Sequence, residues 1–512
     1  MLADSDPLTA WAHRPTTDFP GRAQIDSRTT IIVPVYGHAD HGLGLSLDVE
    51  EVLGAAVLRR ASKQWTNEIP LLVLPPIRFA LAPYPPALGA LDPETSHEFI
   101  REVVEGIQSS GYRKIVFWST SPWNGELIDA ASRDARVDLG LQTFVIEIKG
   151  VGLNLHPSSS DRSVAQAIVA LQLEQAPELP PLEAPTATDS TFRPGKRVKS
   201  PPVQYDTGID AVAALNSAAD QLAGLLGEID ARAPLGRTDH RAVAVPPSVS
   251  WSENSSALYP SSRRTTYLPA LTANQLSGLP AKSTELVVIP VGAIEQHGAH
   301  LPVSVDAMIA ESASIGLASR LGESHPVWFG PSITYGKSNE HDGYPGTISI
   351  SARTLRRVVR AVVMNLHDLG FCQFALLNTH GGNSAVLVYT LRELQMELDI
   401  RAGMLRLPSS PELSEQENTW GFHAGEWETA VMLAIAPELV RMTKAICHYP
   451  AHLEDPGKLH PENAPAIFSW QTQDIAPGGV MGDAPAATAE KGIRWLNSAL
   501  DSVANQIRLL LP

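Results

Sequence analysis

Residues Leu286 to Asp306 read LVVIPVGAIEQHGAHLPVSVD. The run from Leu286 to Val291 has the length and β-branched content of a buried strand, and Gly292 ends it. Glu295, His297 and Asp306 therefore project from the loop at the strand's carboxyl end, where open α/β sheets place their sites. Glu295 and His297 are two apart and share one side of an extended segment, and Asp306 returns after a turn containing Pro302. Two carboxylates and an imidazole without sulfur suit a hard or borderline cation such as zinc, manganese or iron(II).

Three further segments carry the same chemistry. FALLNTHGGN, residues 374–383, reads as a strand from Phe374 to Leu377 and a loop in which paired glycines let backbone approach a ligand, and it offers His380. GFHAGEWETAVMLAIAPEL, residues 421–439, puts His423, Glu426 and Glu428 at the head of an apolar helix from about Thr429 to Ala436, where the helix dipole favours acidic groups. YGKSNEHDGYPGT, residues 335–347, is a polar, glycine-rich loop able to offer Ser338, Glu340 and His341.

Together the segments EQHGAHLPVSVD, EHDGYPGT, THGGN and HAGEWET, with GVMGDAPAATAEKG at Gly479 to Gly492, resemble the ordered motifs of the creatininase (creatinine amidohydrolase) family over residues 265–512. The resemblance implies a binuclear metal-dependent amidohydrolase holding two divalent ions, Zn, Mn or Fe. It implies Glu295, Asp306 and His380 as ligands of one metal, and His297 with a bridging Asp306 as part of the second set. The creatininase position two residues after the motif histidine is a glutamate, whereas here it is Gly382. Glu426 is the favoured replacement and Glu428 the alternative, the remaining one orienting His423. His423 matches the family's catalytic histidine, and Ser338 a substrate-contacting serine. Trp420, Trp427 and Tyr344 lie beside these motifs and are candidates for an aromatic wall against a flat substrate.

The reaction implied is hydrolysis of a C–N bond by metal-activated water, with His423 carrying a proton to the departing nitrogen. A small cyclic amide (a lactam, an imide or a creatinine-like ring) is the first expected substrate, and a small linear amide such as an N-formyl compound is the alternative. A non-catalytic binding protein is a third reading, and the intact motif residues weigh against it.

The first half reads as a degenerate copy of the second. IIVPVYGHADHGLGLSLD at residue 31 aligns with VVIPVGAIEQHGAHLPVSVD, and GYRKIVFWSTSPWNG at residue 111 with GFCQFALLNTHGGNS. APEL and LNSA also recur in order. Ala39 stands at the Glu295 position and Ser121 at the His380 position, so no intact metal site is expected there; His38, Asp40, His41 and Asp48 are what remains. Alternating apolar runs and amphipathic helices, such as Thr354 to Leu369, predict two three-layer α/β/α domains with mainly parallel sheets. The expected division is a degenerate domain at 1–235, opening with about thirty poorly patterned residues; a Pro- and Ser-rich connector at 236–264; and a catalytic domain at 265–512. A Pro-rich insert is expected at 180–202.

With 512 residues and 44% hydrophobic content the chain can bury two ordinary cores. A formal net charge of −16 argues against nucleic acid or an anionic membrane as partner. Cys372 and Cys447 are too few and too far apart for a disulfide framework. No apolar run approaches membrane-spanning length and the N-terminus lacks a signal-like pattern, so a cytoplasmic location is expected. The family resemblance implies a homo-oligomer; for a fused pair this means a trimer of two-domain chains.

Overall fold

The computed structural model describes residues 10–19, 28–41, 45–64, 71–79, 81, 87–156, 162–174, 192–193, 196–197, 209–231, 266–321, 327–408, 412–449, 459–460, 466–467 and 470–510. The expected connector, the edge between the expected domains, the first APEL and, apart from 192–193 and 196–197, the Pro-rich insert lie outside the described residues.

The first half runs β1 (Thr30–Val35), α1 (Val49–Ser62), β2 (Leu71–Val73), α2 (Pro93–Ser109), β3 (Lys114–Ser119), α3 (Gly125–Leu139), β4 (Gln142–Glu147), α4 (Arg162–Glu174) and α5 (Ala211–Ala231). The second runs β5 (Leu286–Val291), α6 (Val305–Leu321), β6 (Val327–Phe329), α7 (Ala352–Asp368), β7 (Gln373–Asn378), α8 (Ser384–Leu398), β8 (Arg401–Leu405), α9 (Glu426–Ile435) and α10 (Ala489–Leu510). Each half forms a four-stranded parallel sheet, in the order β2-β1-β3-β4 and β6-β5-β7-β8. Equal order in both sheets is what a duplication produces.

Alternate side chains of each inner strand serve opposite layers. Val287, Ile289 and Val291 pack with Leu355, Val358 and Val362 of α7, whereas Leu286 and Val288 pack with Leu317 of α6 and Val503 of α10. All six residues of β5 are buried, as a parallel strand covered on both faces requires. Pro290 sits in this inner strand and Pro34 in its counterpart β1, and each carbonyl still accepts a hydrogen bond, from Ile333 N and Ile77 N.

Strand order also fixes where a site can form. From β5 the chain crosses to β6 on one side, and from β7 to β8 on the other, which opens a crevice at the carboxyl ends of β5 and β7. The two halves face each other through equivalent loops. Arg78 Nη1 donates to Thr334 Oγ1 (2.9 Å) across the same 256-residue offset that separates Pro34 from Pro290, and α2 packs on α7.

Candidate active site

Glu295 and His380 follow β5 and β7 directly, so the crevice between those strands brings them together. Asp306 lies in the first turn of α6, which Gly292 allows to come close: a Cβ at Gly292 would stand 2.7 Å from Ala307 N and Cα. Thr379 Oγ1 ties the β7 loop to the same turn by donating to the Asp306 carbonyl (2.8 Å). Glu295 N donates to Val303 O (2.8 Å), closing the loop that carries His297.

The side chains converge in a buried cluster. His380 Nδ1 lies 3.2 Å from Glu295 Oε1 and 3.6 Å from Asp306 Oδ2. His297 Nε2 lies 3.8 Å from Asp306 Oδ1 and 3.7 Å from Glu428 Oε2. Asp306 thus turns one oxygen to each histidine. Each of the sets Glu295–Asp306–His380, His297–His423–Glu428 and Glu295–His341–His423 places ligand-type atoms within 4.8 Å of one another. Among the described residues, groups of this kind occur only in the second half.

Hydrogen bonding fixes the ring faces. His380 Nε2 lies 2.9 Å from Lys337 O, which can only accept, so in the neutral ring, as a metal ligand would be, Nδ1 turns its lone pair to the carboxylates. His297 Nδ1 likewise meets Glu295 O (3.1 Å), leaving Nε2 toward Asp306 and Glu428. Both Glu295 oxygens, Asp306 Oδ2 and His297 Nε2 are buried without a hydrogen-bond partner. Acceptors gathered in this way without donors fit a cation at their centre.

The electrostatics agree. Burial opposes charge on His380, but Glu295, Asp306 and Glu340 outweigh it and push the imidazole up to about 10. Burial alone would raise Glu295, yet His341, His380 and His423 hold it well below the usual carboxylate range. Burial, then the Glu295 charge, pushes Asp306 well above that range. Burial also raises Glu428, and burial with the neighbouring His423 depresses His297. Burial and the neighbouring charges thus pull the two carboxylates in opposite directions beside a favoured positive charge.

His423 stands over the cluster. Its ring stacks on His341 with centroids 4.3 Å apart and lies 4.3 Å from His297. Nε2 meets the Gln296 carbonyl (2.9 Å), and Nδ1 faces Glu295 Oε1 at 3.7 Å. A backbone bridge to Met481 holds its loop, drawing the sequence VMGD into the site. Ala424 beside it has φ 53°, a conformation that is uncommon for a residue with a side chain, and Glu428 Oε2 accepts from its amide.

Three expected positions come out differently. Glu426 faces α10, where Lys491 Nζ donates to Oε1; α9 begins at residue 426, about three residues before the expected start, and turns Glu428 inward in its place. Trp427 packs with Leu413, Ala430 and Trp495, in the apolar layer between α9 and α10. Tyr344 donates its hydroxyl to Ala476 O and Pro477 O and braces a loop. Ser338 is buried, with Oγ 3.3 Å from His380 Nε2.

Sequence reasoning passed over Gln296, whose amide Nε2 lies 3.0 Å from His341 Nδ1, and Trp470, whose ring meets His341 edge-on at 6.4 Å. Gln296 had a signal in its place between two site residues; Trp470 had none. A Cβ at Gly382 would run into the Glu340 carboxylate and come within 2.5 Å of His380 Nε2, so Glu340 fills the space of the missing side chain. In the first half His38 pairs with Glu51, His41 with Glu50, and the buried Arg78 guanidinium binds Glu51.

The Creatininase family model, creatinine amidohydrolase, matches residues 16–181 and 269–507. The chain is 31% identical over 258 residues to the mycofactocin precursor peptide peptidase of Mycobacterium ulcerans, covering 49% of this chain and 95% of that one. It is 28% identical over 271 residues to the creatinine amidohydrolase of Pseudomonas putida, covering 49% and 98%. The solved structure "Creatininase Mn" is 26% identical, covers 48% of this chain and 99% of its own, and superposes with a TM-score of 0.41.

Proposed function

Because this chain belongs to the creatininase family, we propose that it is a binuclear metal-dependent amidohydrolase with its site confined to the second half. Glu295, Asp306 and His380 would hold one divalent ion, and His297, Asp306 and Glu428 the other. The observation that carries this reading is the set of buried, partnerless acceptor atoms on Glu295, Asp306 and His297. Bound zinc, manganese or iron supplies an activated water and polarises the amide carbonyl.

The remaining chemistry falls to the chain's own side chains. His423 Nε2 meets both the Gln296 carbonyl and the Gln296 side-chain amide (2.9 Å each), and we assign its proton to the carbonyl, which leaves the lone pair on Nδ1. That atom takes a proton from the attacking water and passes it to the departing nitrogen, which otherwise would leave as an amine anion. Glu428 fixes the His423 loop through the Ala424 amide while facing His297. Burial of the cluster strengthens each of these interactions.

The first substrate class is a small cyclic amide, by similarity to creatinine amidohydrolase. A linear amide is the second, and Gly382 favours it: the carboxylate of the creatininase motif is absent there, and the chain is also similar to a peptidase. The assembly is proposed as a trimer of two-domain chains in the cytoplasm; no helix among the described residues is long and apolar enough to cross a membrane.

The test is a screen of zinc- or manganese-loaded protein against cyclic amides, N-formyl amides and short peptides. Turnover of one class is expected, lost by more than about a hundredfold in His423→Gln. Turnover that survives in both His423→Gln and Asp306→Asn contradicts the proposal.

A further inference from the structure

Residues 10–19, from the first half, lie against both backbone neighbours of the Glu295 segment. On one side Val303, whose carbonyl receives Glu295 N, donates its own amide to Arg14 O (2.9 Å). On the other side Gln296 N donates to Thr347 Oγ1 (3.0 Å), and Ile348 N to Ile294 O (2.9 Å). The two residues preceding Thr347 are held by the first half. Trp11 Nε1 donates to Gly346 O (2.9 Å), Thr16 Oγ1 to Pro345 O (2.8 Å), and Gly346 N to Ser110 Oγ (3.0 Å). Gly346 has φ 92°, and the Phe19 ring fills the space a side chain there would need.

The clamp itself is well packed. Trp11 is fully buried, and its ring packs on Phe19 and Tyr112 with centroids 4.7 and 5.3 Å away. Neither Glu295 oxygen accepts a hydrogen bond, and beside the His380 and His341 rings, 3.2 and 3.4 Å from Oε1, backbone anchoring helps set where the carboxylate points.

We propose that Trp11, Arg14 and Thr16 are positioning residues for Glu295, Gln296 and His297, and that supplying them is what the degenerate first half does for the site of the second. The inference stands on these hydrogen bonds and goes beyond the reaction proposed above. It also accounts for a first half that has lost the ligand residues at Ala39 and Ser121 while remaining packed on the second.

The test compares the full chain with Trp11→Phe/Thr16→Val, which removes both donors while keeping an aromatic ring at 11 and the side-chain shape at 16, and with Trp11→Phe alone, which reports the effect of the smaller ring. The reference variant is Glu98→Gln, which weakens contacts to Arg353 and Arg357 elsewhere in the same interface. Three readouts are taken: Zn2+ affinity by chelator competition, the visible absorption of the Co2+-loaded protein, and hydrogen exchange over residues 293–304. In the double variant Zn2+ affinity is expected to fall about tenfold, the Co2+ bands to shift, and the Glu295 and Gln296 amides to exchange about tenfold faster. Glu98→Gln should change none of these, and Thr16→Ser, which keeps the donor, should behave as wild type. Wild-type values in the double variant, or the same changes in Glu98→Gln, overturn the proposal. If the wild-type chain takes up no metal, the reaction proposed above fails by itself and hydrogen exchange alone decides this one.

Discussion

The choice between Glu426 and Glu428 shows what two neighbouring acids at a helix start can and cannot reveal. Two positions apart on a helix they point about 200° away from each other, so only one can face the crevice. Which one is decided by Lys491, 65 residues on, which draws Glu426 to α10. Glu428→Gln is therefore expected to lose most of one metal and nearly all turnover. Glu426→Gln should keep both and lose about 1 kcal/mol of stability, since its lysine partner is partly exposed; metal analysis and urea unfolding check this. By contrast the convergence of Glu295, His297 and His380 was legible in the sequence, because each follows the end of an inner strand by two to six residues, whereas Asp306 is brought in by the first turn of α6. A second residue-scale expectation concerns His300, which burial, with His423 nearby, depresses to about 4. The unfolded chain, with an imidazole pKa near 6.5, then binds more protons between those values, so stability falls as pH drops from about 6.5 to about 4. Wild type should lose roughly 2 kcal/mol more than His300→Gln between pH 7 and pH 4.5 in urea titrations. Equal losses would remove His300 from the account.

At the scale of elements, the sequence places β5 at its observed bounds and β7 and α7 to within about two residues. A β-branched run and a strong amphipathic period each determine their own element locally. The start of α9 was less legible because a capping geometry set by the Ala424 turn precedes it. Gly292 is where element packing and site geometry meet, since α6 can deliver Asp306 only by approaching the end of β5. Gly292→Ala should cost about 1–3 kcal/mol in denaturant unfolding and lower zinc retention as the first turn of α6 is pushed outward. Unchanged zinc retention would show that Asp306 is held by other means.

For the whole molecule, the internal repeat gave the duplication, and the identical sheet orders agree with it. The use made of residues 10–19 was not legible. They lack period and motif, and their partners, Val303 and Pro345 to Gly346, lie about three hundred residues away in the chain. Pairing of that kind leaves no local signature. In the first half the ligand types expected at Ala39 and Ser121 are missing position by position, and the histidines that remain, His38 and His41, pair with Glu51 and Glu50. In the proposed function Asp306 would serve both metals of a single site per chain. Elemental analysis of the purified chain beside Asp306→Ala should find about two divalent metals per wild-type chain and fewer than one in the variant. About four per wild-type chain, or two retained without Asp306, would contradict that proposal.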